Sequence, residues 1–266
     1  MQHKQRFTNV TLVTPYGEED KDLLIDGDKI VDILNPNENI SDEWKIIDGQ
    51  NNFIFPGMID VLQHGFLNYL YGHAEENCTV DNSKILPSVG VTGFLPSTPC
   101  LPPEKTKTLL NALSNDIDKA KEGARVLGIH SEGPCFALPG AHDPKNLRNP
   151  SVSLAEELLD ACQGKLKALT LAPEMNGSEE FIKRLKKEKI SIHLGHSGAN
   201  PIDVPKFADW GVDAVTHMYD ALPTYPPDDT GVHVLSLTDA LIAETRIALG
   251  VISVSYTHLT LPTTVF

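Results

Sequence analysis

Three short stretches of this chain each close an apolar run on a side chain able to bind a metal: Val126–Glu132 (VLGIHSE), Ile190–His196 (ISIHLGH) and Val212–His217 (VDAVTH). An apolar run ending in Glu or His is the pattern of a barrel strand that delivers a ligand to its C-terminal mouth. His196 and His217 lie 21 positions apart, about one helix plus one strand, which fits neighbouring parallel strands. A carboxylate with two imidazoles, completed by water, suits one catalytic divalent ion. Zn2+ is the first expectation, and Fe2+, Co2+ and Mn2+ stay open by ligand type.

Such strands must be positioned by a folded barrel or sheet, and the 266 residues are enough for one. The composition, 41% hydrophobic and 22% charged, is that of a globular protein. A formal charge of −14 argues against nucleic acid and against anionic membrane surfaces. No apolar run reaches the roughly 20 residues of a membrane span, and MQHKQRFTNV has no apolar signal region. Cys78, Cys100, Cys135 and Cys162 form no C-x-x-C pair and read as four reduced thiols, so a cytoplasmic location is expected.

Residues 1–55 read as a small β-module of short strands. Its strand candidates are Phe7–Val13, Asp22–Ile25, Lys29–Leu34 and Ile46–Ile47, with a hairpin signal at Asp26–Gly27. From Phe53 the pattern turns to strand–helix alternation. Strands are expected at Met58–Leu62, Thr92–Pro96, Val126–His130, Ala168–Leu171, Ile190–Leu194, Ala214–Thr216 and Arg246–Val251. Helices are expected at Lys105–Ala120, Leu154–Ala161, Glu179–Glu188 and Val204–Trp210, with Ser153/Glu156 as a capping box and Ser178 as the next cap. Seven βα-like units in series mean an α/β fold, either a parallel barrel or a doubly wound sheet. Ligands spread over several strand ends favour the barrel, and no G-x-G-x-x-G or Walker sequence marks a nucleotide site.

The phrases PGMIDV (Pro56–Val61), GVTGFLPST (Gly90–Thr98), HSEGP (His130–Pro134), GAH (Gly140–His142), LTLAPE (Leu169–Glu174), LGHSGA (Leu194–Ala199) and THMYDAL (Thr216–Leu222) occur in this order. With them the chain resembles the metal-dependent amidohydrolase superfamily and, within it, the N-acetylglucosamine-6-phosphate deacetylase family. The resemblance covers roughly residues 6–252. It implies a TIM-like (β/α)8 barrel with a small β-sandwich drawn from both chain ends, and a barrel domain over residues 56–253. The implied activity is metal-dependent hydrolysis of the acetamide of an N-acetyl amino sugar, giving acetate. The implied ligands are Glu132, His196 and His217. Ala141, His142, Asp220 and Ala221 fall where the family contacts the sugar and its phosphate. The family commonly forms homodimers, and an aspartate serves it as general base and acid.

Three departures accompany the resemblance. The usual H-x-H is Leu62–Gln63–His64, which leaves one metal site and frees His64 to line the pocket. Asp228 stands where the family places a phosphate-binding Arg, Asp220 stands for an Asn, and no Lys or Arg occurs between His217 and Arg246. An unphosphorylated N-acyl sugar or another small amide is therefore an alternative substrate, and an amino-sugar-binding protein without catalysis is a third reading. Lastly, the T-D-A aspartate and the eighth strand are not found. Residues 254–263, VSYTHLTLPT, match what one frame of a transposase sequencing adapter encodes. The native sequence is therefore expected to end near Ser253, with 254–266 a foreign tail and His258 no ligand. The 266-residue polypeptide itself is expected to be inactive. Among the other residues, His130 shares a strand face with Glu132, and alternation puts His193 on the face opposite His196. Lys183–Lys189 reads as a solvated helix face, and Tyr225–Pro227 as a loop over the mouth.

Overall fold

The computed structural model describes residues 4–73, 77–223, 231 and 234–252. Asp228, the Tyr225–Pro227 stretch and the 254–266 tail with His258 lie outside them. The chain divides into two units, Met1–Met58 and Ile59–Phe266.

In the first unit, strand β1 (Lys4–Thr14) is central. It pairs antiparallel with β2 (Gly17–Asp20) and β3 (Asp22–Asp26) and parallel with β5 (Lys45–Ile54), while β4 (Lys29–Leu34) completes a hairpin with β3. Gly27 (φ 65°) allows the two-residue turn between Asp26 and Lys29. A small core of Val10, Leu12 and Leu23 holds the sheet, with a buried Arg6–Asp22 ion pair at 2.5 Å. The described residues of this unit form one sheet layer. β5 runs well beyond Ile46–Ile47, because a bulge with Gln50 and Asn51 at positive φ carries a polar stretch along β1.

The second unit opens with β6 (Met58–Gln63) and a short ladder of β7 (Gly65–Phe66) and β8 (Tyr69–Leu70). Helix α1 (Cys78–Ile85), β9 (Val91–Thr98), α2 (Pro103–Lys119), β10 (Arg125–Val126) and β11 (Ile129–Glu132) follow. The rest is α3 (Val152–Ala161), β12 (Leu166–Leu171), α4 (Ser178–Lys187), β13 (Ser191–Leu194), α5 (Val204–Trp210), β14 (Val212–Val215), α6 (Leu237–Ala243) and β15 (Ala248–Leu249). The strands lie in the order β6–β9–β11–β12–β13–β14–β15, with β10 beside β9, and the successive ladders from β9 to β15 are parallel. Spatial order follows chain order without the reversal that defines a doubly wound sheet. This is the barrel path. The strands are apolar on both faces because helices cover the outside. Ile129, Leu169, Leu171, Ile192 and Leu194 are inaccessible, and Leu110, Phe181, Ile182 and Leu241 of the helices pack with them in one core. Each such side chain contributes about 1.5–3 kcal/mol by burial.

Several local expectations are corrected by the packing. Ser151, not Ser153, caps α3 by accepting from the Leu154 N–H, and α4 starts after Gly177 with Ser178 inside the helix. Helix α1 escapes a periodicity reading because the face it buries is polar and small: Cys78, Thr79, Asn82 and Ser83. The basic run on α4 is a largely exposed face, as expected, carrying the ion pairs Lys183 with Glu179, Arg184 with Glu156 and Glu188, and Lys186 with Asp213. Among the described residues β6 pairs only with β9, and β15 only with β14. Exposed Ile59, Val61, Leu249 and Val251 line a cleft of about 740 Å³.

Candidate metal centre

Glu132 is the last residue of β11, while His196 and His217 each follow the end of their strand, β13 or β14, by two residues. All three are nearly inaccessible to solvent, and one ligand atom from each lies within 4.8 Å of the others. Glu132 Oε1 is 3.6 Å from His196 Nε2 and 3.2 Å from His217 Nε2, and the two imidazole nitrogens are 3.1 Å apart. Both histidines adopt the left-handed backbone, φ 52° and 37°, a conformation that costs about 1–3 kcal/mol and persists only where surroundings impose it.

Those surroundings are visible. Ala137 and Leu138 both donate their N–H groups to the His196 carbonyl, while His196 Nδ1 faces the Leu138 carbonyl at 3.0 Å. His217 Nδ1 faces the Asp220 carbonyl at 3.2 Å. Each Nδ1 is therefore the protonated nitrogen, and each Nε2 presents a lone pair to the centre. Two lone pairs and a carboxylate oxygen converging this closely repel one another unless a cation lies between them. The donor set fits a divalent ion on that ground. Without one, the only relief is a proton: burial lowers the His217 pKa, but its bond to Glu132 and the charge there raise it further, to a net increase. Burial pushes the Glu132 carboxyl up, yet the four imidazoles of His142, His196, His217 and His64 outweigh it and hold the group ionised.

A cavity of about 470 Å³ at this mouth is lined by His64, Glu132, Ala141, His142, His196, His217, Asp220 and Ala221, with Pro99 and Gly140. All eight residues expected at the site thus share one cavity. His64 gives Nδ1 to the Ser97 carbonyl and turns Nε2 to Glu132 Oε2 at 3.1 Å. Burial lowers its pKa, but Glu132 and the carbonyl raise it overall. His142 takes the Cys100 N–H on Nδ1 at 3.4 Å, so its Nε2–H faces Glu132 Oε2 at 3.5 Å.

The chain has matches among known proteins. No family model matches the chain. It is 30% identical over 261 residues to the human N-acetylglucosamine-6-phosphate deacetylase (93% of this chain, 62% of that protein) and 28% identical over 260 residues to the zebrafish one (93% and 63%). The structure superposes on the crystal structure of this deacetylase from Pasteurella multocida with a TM-score of 0.79 at 25% identity, covering 93% of this chain and 64% of that one. For the Thermotoga maritima enzyme the values are 0.74, 29%, 93% and 62%. Over 93% of its length the chain is similar to N-acetylglucosamine-6-phosphate deacetylases of the amidohydrolase family. It spans less than two thirds of the length of these relatives.

Deacetylases of this family are metal-dependent, and this chain reveals supports for the centre that its motifs did not disclose. Phe136 stacks on His196 with ring centroids 4.1 Å apart. Glu174, the last letter of LTLAPE, accepts from Ser197 Oγ at 2.8 Å and from the Gly198 N–H at 2.7 Å, bracing the turn directly after His196. Replacing Glu174 with Gln turns one acceptor into a donor against this turn. Zn2+ affinity measured by chelator competition is expected to weaken about 10–100-fold, as for other partners of metal ligands. His130 sends Nδ1 to the Val61 carbonyl at 2.6 Å and accepts from Thr170 Oγ1 at 2.7 Å, and Thr170 meets Thr216 at 2.7 Å. Beta alternation stops at Gly195, so His193 is not turned away from this interior; it packs edge-on against His130, 4.9 Å between centroids.

Proposed function

We propose that this chain carries the metal centre and acyl pocket of a deacetylase that hydrolyses the acetamide of an N-acetylated amino sugar to the free amine and acetate. In the family's own substrate, N-acetylglucosamine-6-phosphate, the products are glucosamine-6-phosphate and acetate. The convergence of Glu132 Oε1, His196 Nε2 and His217 Nε2 on one point at the barrel mouth carries this reading. Those residues would hold one divalent ion, proposed as Zn2+ from the nitrogen-rich set. When bound, such an ion polarises an amide carbonyl and makes water more acidic.

The residues around it suit the rest of the task. His142 Nε2–H, which faces Glu132 Oε2 across the cavity, is the donor that an acyl oxygen would meet. His64, Ala141, Asp220 and Ala221 line the space beyond, where the sugar ring would lie. No aspartate acid/base is assigned, because the family pattern places it past Ser253. Binding is accordingly the readout. A calorimetric titration of the Zn2+-loaded chain should show an N-acetyl amino sugar binding in the presence of the ion and not after chelation. One bound Zn2+ with no affinity for N-acetylglucosamine or its 6-phosphate would overturn the proposal.

A further inference from the structure

We infer that the cavity is built for an N-acylated sugar without a phosphate, with the Asp220 carboxylate accepting a hydrogen bond from one of its hydroxyls. This rests on the deacetylase reading above and departs from the 6-phosphate substrates in the relatives' names.

The argument begins with the lining. Its two carboxylate side chains are Glu132 and Asp220, and no Lys or Arg lines it among the described residues. Glu132 is committed to the metal. Asp220 is exposed at the rim but its backbone is fixed: its N–H donates to the His217 carbonyl at 2.9 Å and its own carbonyl faces His217 Nδ1. Flanking Tyr219 and Ala221 are both left-handed, φ 79° and 51°. The carboxylate is thus tied through its backbone to a residue of the metal centre.

The loops that leave the C-terminal ends of the strands extend the same pattern. Asp143, Glu174, Asp203 and Asp220 lie on them. Their described cations are Lys145 and Arg148. Arg148 is spent on both oxygens of Glu157, at 2.7 and 2.8 Å, and Lys145 follows Asp143 on an exposed turn outside the cavity lining. The sequence after His217 offers no replacement: residues 218–245 contain no Lys or Arg and add Asp228 and Asp229. A phosphate dianion presents only acceptors, and so does an ionised carboxylate, so the two cannot bond to each other. A sugar hydroxyl supplies the donor that Asp220 lacks. The missing guanidinium fork is the feature on which phosphate recognition ordinarily depends.

The test is calorimetry on the Zn2+-loaded chain with N-acetylglucosamine and with N-acetylglucosamine-6-phosphate. The free sugar is expected to bind at least about tenfold more tightly. That preference should shrink as ionic strength rises from about 0.01 M to about 1 M, where the screening length falls from ~30 to ~3 Å. Asp220→Asn should weaken the free sugar and strengthen the 6-phosphate. Equal affinities, or tighter binding of the 6-phosphate, would overturn the inference and leave the deacetylase reading standing. Failure of both ligands to bind would overturn that reading and the inference with it. Unchanged affinities in the Asp220 variant would remove the hydroxyl contact.

Discussion

Replacing His196 with alanine is expected to destroy the proposed metal site while the chain stays folded. Structural zinc held by four protein ligands binds with roughly 10–16 kcal/mol, about 3–4 per ligand. Losing one should therefore weaken Zn2+ by about 10²–10³-fold. The fold has less at stake. In the metal-free protein His196 Nε2 lies 3.1 Å from His217 Nε2, a crowding that only a proton on His217 relieves, and alanine removes the crowding. It also removes the ring stacked on Phe136, so the two changes oppose each other. Thermal melting in chelator should move by only a few degrees, where about 1 kcal/mol shifts a domain of this size by roughly 2–4 °C. His142→Ala is the contrasting variant: its ring faces Glu132 from the other oxygen, and Zn2+ affinity should change far less. Equal metal affinity in wild type and His196→Ala would show that the centre is not the one described.

Much of this centre was legible in the sequence because strand periodicity and ligand chemistry agree there. An apolar run ending at Glu132 reads as a buried strand with a carboxylate at its tip, and the 21-residue spacing of His196 and His217 matches one helix and one strand. The strand–helix alternation left a barrel and a doubly wound sheet open, and ligands spread over several strand ends favoured the barrel. What stayed hidden depends on contacts without a period. Glu174 reaches Ser197 and Gly198 across a loop, and nothing in its local sequence separates it from a solvated carboxylate. Helix α1 buries Asn82 because its side chain accepts the Phe66 N–H and donates to the Tyr69 carbonyl, bonds made to a ladder distant in sequence. Ser153, with Glu156 three residues on, is the better cap on paper; backbone conformation, extended at Ser151, makes Ser151 the cap instead. The face of His193 was misjudged because the strand ends at Leu194 and the ligand His196 itself is left-handed, so the alternation does not run from one histidine to the other.

Acidification of the metal-free protein should unfold it over a narrow range, and two interior histidines outside the metal-binding trio supply much of the reason. Burial, with a further push from His193, holds His130 down to about 3, and burial holds His193 down to about 4. Both are neutral in the folded protein at pH 5, whereas in the unfolded chain each titrates near 6.5. Between pH 6.5 and about 4 the unfolded state therefore binds up to two more protons than the folded state. Stability is complete above pH 6.5 and falls as the pH drops, by up to about 1.4 kcal/mol per pH unit for each histidine. Together they cost roughly 5 kcal/mol between pH 6.5 and 4.5, a large part of the ~5–15 kcal/mol of a typical domain. His64 and His217 have the opposite sign, since their folded pKa values are raised. Their contribution is complete below pH 6.5 and is lost as the pH rises through those values, which puts the stability maximum of the metal-free chain near pH 6.5. Urea unfolding in chelator at pH 7, 6 and 5 measures the slope. His193→Gln should lower the number of protons taken up on unfolding by about one across this window. A stability independent of pH from 7 to 5 would mean that His130 and His193 reach solvent in the native state, against the buried Val61–His130–Thr170–Thr216 chain that holds one ring and the edge-on packing that holds the other.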